Sequence, residues 1–112
     1  MDAKVLAQTY FESWKAEDFE TFRSLIDDNV TFKGPMAEVK GVEEYVKGIQ
    51  GMSKMIDDIV VQKIFVDGAD VITWFDIHTK DGKVLPTANW SHVTDGKIDR
   101  IRVAFDTRPI TS

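Results

Sequence analysis

Asp76 and His78 stand two residues apart in the run TWFDIHT at 73–79, and they are the pair most able to move a proton. On a β-strand, side chains two apart share a face, about 6–7 Å from one another, close enough to couple electrostatically. A carboxylate set between Trp74 and other apolar walls would lose hydration. Its pKa would then rise, and it would become a usable general acid or base. The opposite register turns Val71, Thr73, Phe75 and Ile77 to the core and leaves Asp76 and His78 facing water or a partner. Both faces of the run carry apolar residues, so alternation leaves the two registers open. Tyr10 lies on an apolar helical face, where its hydroxyl needs a partner if buried. His92, between Ser91 and Val93, is expected on the outer sheet face beside Trp90 and Thr94. With the two histidines expected on opposite faces, no metal centre is expected. The chain contains no glycine-rich phosphate loop, nucleophile elbow or paired-histidine motif.

The elements that must position these residues change period midway. In the N-terminal half, Leu6, Tyr10 and Trp14 recur every four residues, flanked by Ala3, Ala7 and Phe11, which predicts a helix with one apolar face. Glu17 and Asp18 interrupt that face and can cap a second helix with the buried stripe Phe19, Phe22, Leu25 and Ile26. Asp27-Asp28-Asn29 should stop it. A short extended piece, Val30 to Phe32, then runs into the breaker pair Gly34-Pro35. Gly41 precedes a third helical pattern through Val42, Tyr45, Val46, Ile49 and Met52, with Gly48 and Gly51 suggesting close packing or a mobile end. From Ile56 onward three Asp-Gly pairs, at 67, 81 and 95, fall 14 residues apart. Asp-Gly between β-rich runs predicts hairpins, because both residues tolerate positive φ. Four long strands follow, at about 57–66, 70–80, 83–94 and 97–106. The economical arrangement is α+β, with three N-terminal helices on the concave face of one curled antiparallel sheet. Such packing leaves a cone-shaped hollow of the kind that takes a small ligand.

Composition bounds the rest. The 112 residues predict one domain spanning 1–112. Net charge is −5 (14 Lys+Arg against 19 Asp+Glu), which argues against a nucleic-acid backbone or an anionic membrane as partner. No cysteine is present, which excludes disulfides and thiolate chemistry. No apolar run approaches a membrane span, and the N-terminus lacks a signal-peptide core, so a cytoplasmic location is expected.

The opening stretch VLAQTYFESWKAEDFETFRSLIDDNVTF, the GP pair with a later Gly before the third helix, and the closing hairpin WSHVTDGKIDRIRVAFD together resemble the nuclear transport factor 2-like superfamily. Within it they are most similar to the SnoaL-like and ketosteroid-isomerase-like branch. The resemblance spans nearly the whole chain. It implies a cone of three helices on a curved sheet, a deep pocket and commonly a homodimer. It does not fix a reaction, since members include isomerases, cyclases, epoxide hydrolases and non-catalytic adaptors. Tyr10 matches the branch's oxyanion-donating tyrosine, and Asn89 stands nearest its second acid and could still donate. Gly34 replaces the branch's general base before Pro35, and Val103 replaces the last-strand acid of the hydrolases and cyclases. Matching the strand to the isomerase-like pattern puts Trp74, Asp76 and His78 on the pocket side.

These readings give a small-molecule-binding domain for an apolar ligand bearing a carbonyl or hydroxyl. Either it is a cofactor-independent proton-transfer enzyme, with Asp76 as acid or base and Tyr10 and Asn89 as donors to developing oxygen charge, or it is a non-catalytic binding or dimerisation module of the same shape. Trp14, Phe32, Trp74, His78, Ile101, Val103 and Phe105 are the expected substrate-binding walls. A closed-ended cavity bounded by Tyr10, Trp14, Trp74, Asp76 and Phe105 is expected. Apolar residues on both sheet faces further predict a homodimer through the outer face.

Overall fold

The computed structural model describes residues 1–111. Asp2 opens the first helix, its carboxylate accepting the Val5 backbone N–H at 2.9 Å, and α1 runs Ala3–Lys15. Asp18 caps α2 (Phe19–Ser24) in the same way, accepting from the Thr21 N–H. The expected buried stripe of this helix is cut short at Ile26, which begins β1 (Ile26–Lys33) instead. Asp27, Asp28 and Asn29 do not end a helix but lie within that strand, in its irregular stretch between buried Ile26 and Val30, with Asp28 and Asn29 exposed. Gly34-Pro35 turns the chain into a short strand that no periodicity announced, β2 (Glu38–Lys40). Gly41, at φ +96°, leads into α3 (Val42–Ser53), whose Val42, Tyr45, Val46 and Ile49 are buried as the spacing predicts. Gly48 and Gly51 are not sites of close packing, since a Cβ at either would meet no atom within 4 Å.

Four strands complete the sheet: β3 (Ile56–Asp67), β4 (Asp70–Thr79), β5 (Val84–Thr94) and β6 (Lys97–Phe105). They turn at the three Asp-Gly pairs. Asp95 and Gly96 both sit at positive φ, +52° and +75°, the conformation a tight hairpin of this twist requires. The spatial order is β2-β1-β6-β5-β4-β3. The sheet is not wholly antiparallel, because β1 runs parallel to β6. A hydrogen bond from the Ile98 N–H to the Leu25 carbonyl, 2.9 Å, holds that junction. Bulges between Ile56 and Asp58, Val61 and Lys63, and His92 and Val93 bend the long strands, so the sheet curls around the helices. A short helix, α4 (Arg108–Thr111), follows β6.

The core lies between the concave face and the helices. Leu6, Tyr10, Phe11 and Trp14 of α1, Phe22 of α2 and Tyr45 and Ile49 of α3 meet Ile59, Phe75, Ile77, Leu85, Ile98 and Ile101 of the sheet. Among the described residues no helix is long and apolar enough to cross a membrane.

Candidate functional site

Strand β4 decides which side chains enter the cone. Val71, Thr73, Phe75 and Ile77 are buried, while Trp74 is 44% exposed. Phe75 packs its ring 4.7 Å from Phe11 of α1, which fixes the inner side of the strand. The expectation that Trp74, Asp76 and His78 line the pocket is therefore corrected: all three lie on the outer face. Val71, Phe75 and Ile77 together carry more apolar surface than Ile72 and Trp74, and burying them selects the register. On the outer face Asp76 accepts a 3.0 Å hydrogen bond from the Gln62 amide. Gln62 is the residue that bulges from β3 at this point. Trp74 and Asp76 thus bound no cavity with Tyr10.

The polar side chains that do face inward form a different set. Tyr10 is 1% exposed and Asn89 2%. The Tyr10 hydroxyl is hydrogen-bonded to the Tyr45 hydroxyl from α3, and the Asn89 side chain also acts on it. The Ser91 hydroxyl donates to Asn89 Oδ1 at 2.8 Å, which leaves the amide N–H groups of Asn89 for Tyr10. Thr73 lies opposite Asn89 across the β4–β5 ladder, and Thr87 lies one inward position further along, opposite Phe75. Both threonines are fully buried. Each strand position follows from alternation: Leu85, Thr87, Asn89 and Ser91 are successive inward residues of β5. The sequence placed Tyr45 on the apolar stripe of α3 but did not connect it to Tyr10. The signal for the rest was present in β5, where small polar residues occupy three consecutive inward positions.

Burial governs the electrostatics. It pushes the Tyr10 hydroxyl up to about 12, against the opposing pull of the hydrogen bonds from Tyr45 and Asn89. Tyr45 is raised well above the ordinary tyrosine value, first by burial and then by Tyr10. Both hydroxyls therefore stay protonated at neutral pH and can donate. Among the described residues the buried polar side chains are serines, threonines, Asn89 and the two tyrosines, and no carboxylate, lysine, arginine or histidine is buried with them. The set can hold and polarise an oxygen, but it contains no group to take a proton.

The remaining predicted wall residues divide. Trp14 is buried and donates its indole N–H to Ser53 Oγ at 3.1 Å, joining the C-terminal ends of α1 and α3. Ile101 is fully buried core. Phe32, Val103 and Phe105 are half-buried, with Phe32 5.2 Å from the Tyr45 ring. Val103 lies opposite Asn89, and Phe105 opposite Thr87, so solvent reaches to within one strand of the polar set. Around Tyr10 itself the space is filled: its ring lies 4.9 Å from Phe11, 6.3 Å from Trp14 and 4.7 Å from Phe22. Hollows lie at the edges of the molecule, one of about 310 Å³ between α1 and β3 and another of about 410 Å³ beside α4.

The two histidines were expected on opposite faces. Both lie on the outer face, at opposite ends of the sheet, His92 opposite Asp70 and His78 opposite Val84. His92 Nδ1 is 2.7 Å from Asp99, and Thr94 donates to the same carboxylate. Burial raises the pKa of Asp99, and the hydrogen bonds from His92 and Thr94 outweigh it, leaving the group below its ordinary value. Among the described residues no cluster of His, Asp and Glu is arranged to hold a metal ion.

The family model for the SnoaL-like domain matches residues 7–101. No curated protein matches the chain. Among solved structures, an NTF2-like protein of unknown function from Cytophaga hutchinsonii is 29% identical, with TM-score 0.89, over 100% of this chain and 96% of that one. A candidate ketosteroid isomerase from Kribbella flavida is 20% identical, with TM-score 0.85, over 93% of this chain and 77% of that one. An LEH-like epoxide hydrolase from M. tuberculosis is 19% identical, with TM-score 0.82, over 95% of this chain and 84% of that one. At those last two identities the likeness is one of fold. With the model covering most of the chain and the same helix-filled curved sheet recurring in these structures, the protein belongs to the SnoaL-like family of the nuclear transport factor 2-like fold.

Proposed function

We propose that this chain is a small-molecule-binding domain whose interior receives an apolar compound through a single carbonyl or hydroxyl oxygen. The observation that carries the reading is the buried polar set: the Tyr10 hydroxyl is paired with Tyr45 and Asn89 inside apolar walls, and since rings fill the space around it, a guest enters by parting those rings and taking the place of one of these internal partners. Polar groups in such surroundings discriminate strongly for a ligand that pairs them. Proton-transfer chemistry forms no part of this reading, because Asp76 sits on the outer face of the sheet and, in the pattern of the resembled branch, Gly34 and Val103 stand where an acid would serve. Titrating 2-decalone against its deoxygenated parent decalin, followed by the amide and side-chain resonances of Tyr10, Tyr45 and Asn89, tests it. The ketone should bind at least about tenfold more tightly, a difference of one good hydrogen bond. Tyr10→Phe should reduce that ratio. Equal response to both compounds, or movement only at surface residues, would refute the reading.

The outer sheet face supports a homodimer. Phe65, Ile72 and Trp90 form one row across β3, β4 and β5, and all three are exposed. In the next row Trp74 stands beside the small Ala88 and Ala104. A raised ring beside a flat floor is self-complementary under a two-fold axis, with the Trp74 ring of each protomer lying on the Ala88–Ala104 floor of the other. Lys63 and Arg102 at the margin face the same surface as Asp70 and Asp76, so charges of both signs are available to pair across it.

A further inference from the structure

The outer face of the sheet carries its charges unevenly. Where β3, β4, β5 and β6 lie side by side, the pairing sets Asp67, Asp70, His92 and Arg100 in one row and Phe65, Ile72, Trp90 and Arg102 in the next. A third row holds Lys63, Trp74, Ala88 and Ala104. The first row is thus acidic at its β3–β4 end and basic at its β6 end, and Lys33 of β1 extends the basic end beside Arg102. Asp67 and Arg100 are both exposed, and among the described residues neither enters an ion pair or a side-chain hydrogen bond. Asp70 accepts the Trp90 indole N–H at 2.9 Å, which holds its carboxylate on this face. Asp99, the acid next to Arg100, is already engaged by His92 and Thr94. Arg102 is fastened by the Thr31 and Ile101 carbonyls at 3.0 and 2.8 Å, neither of which balances its charge.

We propose that a second copy of this chain stacks on the outer face about a two-fold axis running along the strands between β4 and β5, and that Arg100 of each protomer pairs there with Asp67 and Asp70 of the other. The inference rests on the homodimer proposed above and adds its orientation and its ionic contacts. Shape and charge select the same axis. Trp74, Ala88 and Ala104 belong to one row, so seating each Trp74 on the other protomer's floor requires every row to meet its own copy turned end for end. The acidic end of the first row then meets the basic end of its copy. In the second row Arg102 comes over Phe65 and Ile72, where its methylene stem covers apolar surface while its guanidinium stays at the rim. A two-fold axis across the strands would instead set each strand against its own copy and keep the acids of β3 and β4 away from Arg100 and Arg102, losing that complementarity.

The test exchanges the signs of one pair. Arg100→Glu sets an acid against Asp67 and Asp70, and Asp67→Lys sets a base against Arg100. Each variant alone should dimerise about tenfold more weakly than wild type by sedimentation equilibrium, the sum of two rim contacts turned from attraction to repulsion. Both positions are exposed, so the circular dichroism of each variant should match wild type. Mixed in equal amounts, the two variants regain opposite charges at both 67–100 contacts. Native mass spectrometry should then find the heterodimer well above the half that random exchange gives. Wild-type affinity in each variant alone, or a mixture that shows no preference for the heterodimer, would overturn the pairing and leave the dimer standing. A wild type that stays monomeric at concentrations on the order of tens of micromolar would sink the dimer itself.

Discussion

The Tyr10 hydroxyl is the side-chain atom on which most of the interior's polar order depends. It joins α1 to Tyr45 of α3 and to Asn89 of β5, so losing it orphans two enclosed groups at once. Tyr10→Phe should cost about 1–3 kcal/mol at neutral pH, measured by urea unfolding. The pH dependence has a fixed sign. The folded pKa, about 12, exceeds the ordinary value of 10.0, so the folded chain holds this proton more tightly than the unfolded one. Stability is unaffected below about pH 10 and falls as pH rises toward 12, by about 3 kcal/mol for a two-unit shift. Tyr45, raised in the same direction, adds to the fall. A pH series of urea midpoints for wild type should therefore show an alkaline decline that Tyr10→Phe makes shallower. At this scale the resemblance singled out Tyr10 and Asn89, which the fold buries together, but their meeting with Tyr45 was hidden. Residues 10 and 45 become neighbours only when α1 and α3 pack on the same sheet.

At the scale of elements, the hairpins were legible and the register of β4 was not. Each Asp-Gly pair marks a turn through a local conformational requirement, visible without knowing the fold. The face chosen by β4 depends instead on which side chains the helices cover. TWFDIHT offers apolar residues to both sides, and the tilted and edge-on packing of Phe75 against Phe11 and Trp14 resolves it. Strand β1 was half hidden for a related reason. Its Asp27, Asp28 and Asn29 read as a helix stop, and its parallel partner β6 lies about 70 residues away. The observed register makes Asp76 a surface residue. Asp76→Asn should change unfolding free energy by no more than about 0.5 kcal/mol, while Phe75→Ala, on the inner face, should cost about 3–5 kcal/mol. A large loss for Asp76→Asn with a small one for Phe75→Ala would reverse the assignment of faces.

For the whole molecule, the curved sheet has two apolar surfaces and one set of helices. The concave side is filled by α1, α2 and α3, and the convex side keeps Phe65, Ile72, Trp74 and Trp90 exposed. The helix-lined cone and the apolar residues left exposed on the outer face were both readable from strands apolar on both sides. The expected cavity was not, because whether rings fill a hollow depends on packing that no pattern of residue types records. Wild type should sediment as a dimer at concentrations on the order of tens of micromolar. Trp74→Arg, which places a charge against the Ala88–Ala104 floor, should give a folded monomer with unchanged circular dichroism. A wild-type monomer under those conditions would refute the interface.

The central claim is that Tyr10, Tyr45 and Asn89 together grip one oxygen of an apolar guest. The infrared carbonyl stretch of 13C-labelled 2-decalone bound to the protein reports on that grip directly, since hydrogen bonds to the oxygen lower its frequency. The stretch should fall below its value in hydrocarbon solvent when the ketone is bound to wild type, and should move back up in Tyr10→Phe. A bound carbonyl that keeps its hydrocarbon frequency in wild type would mean that no donor touches it, and would contradict the account.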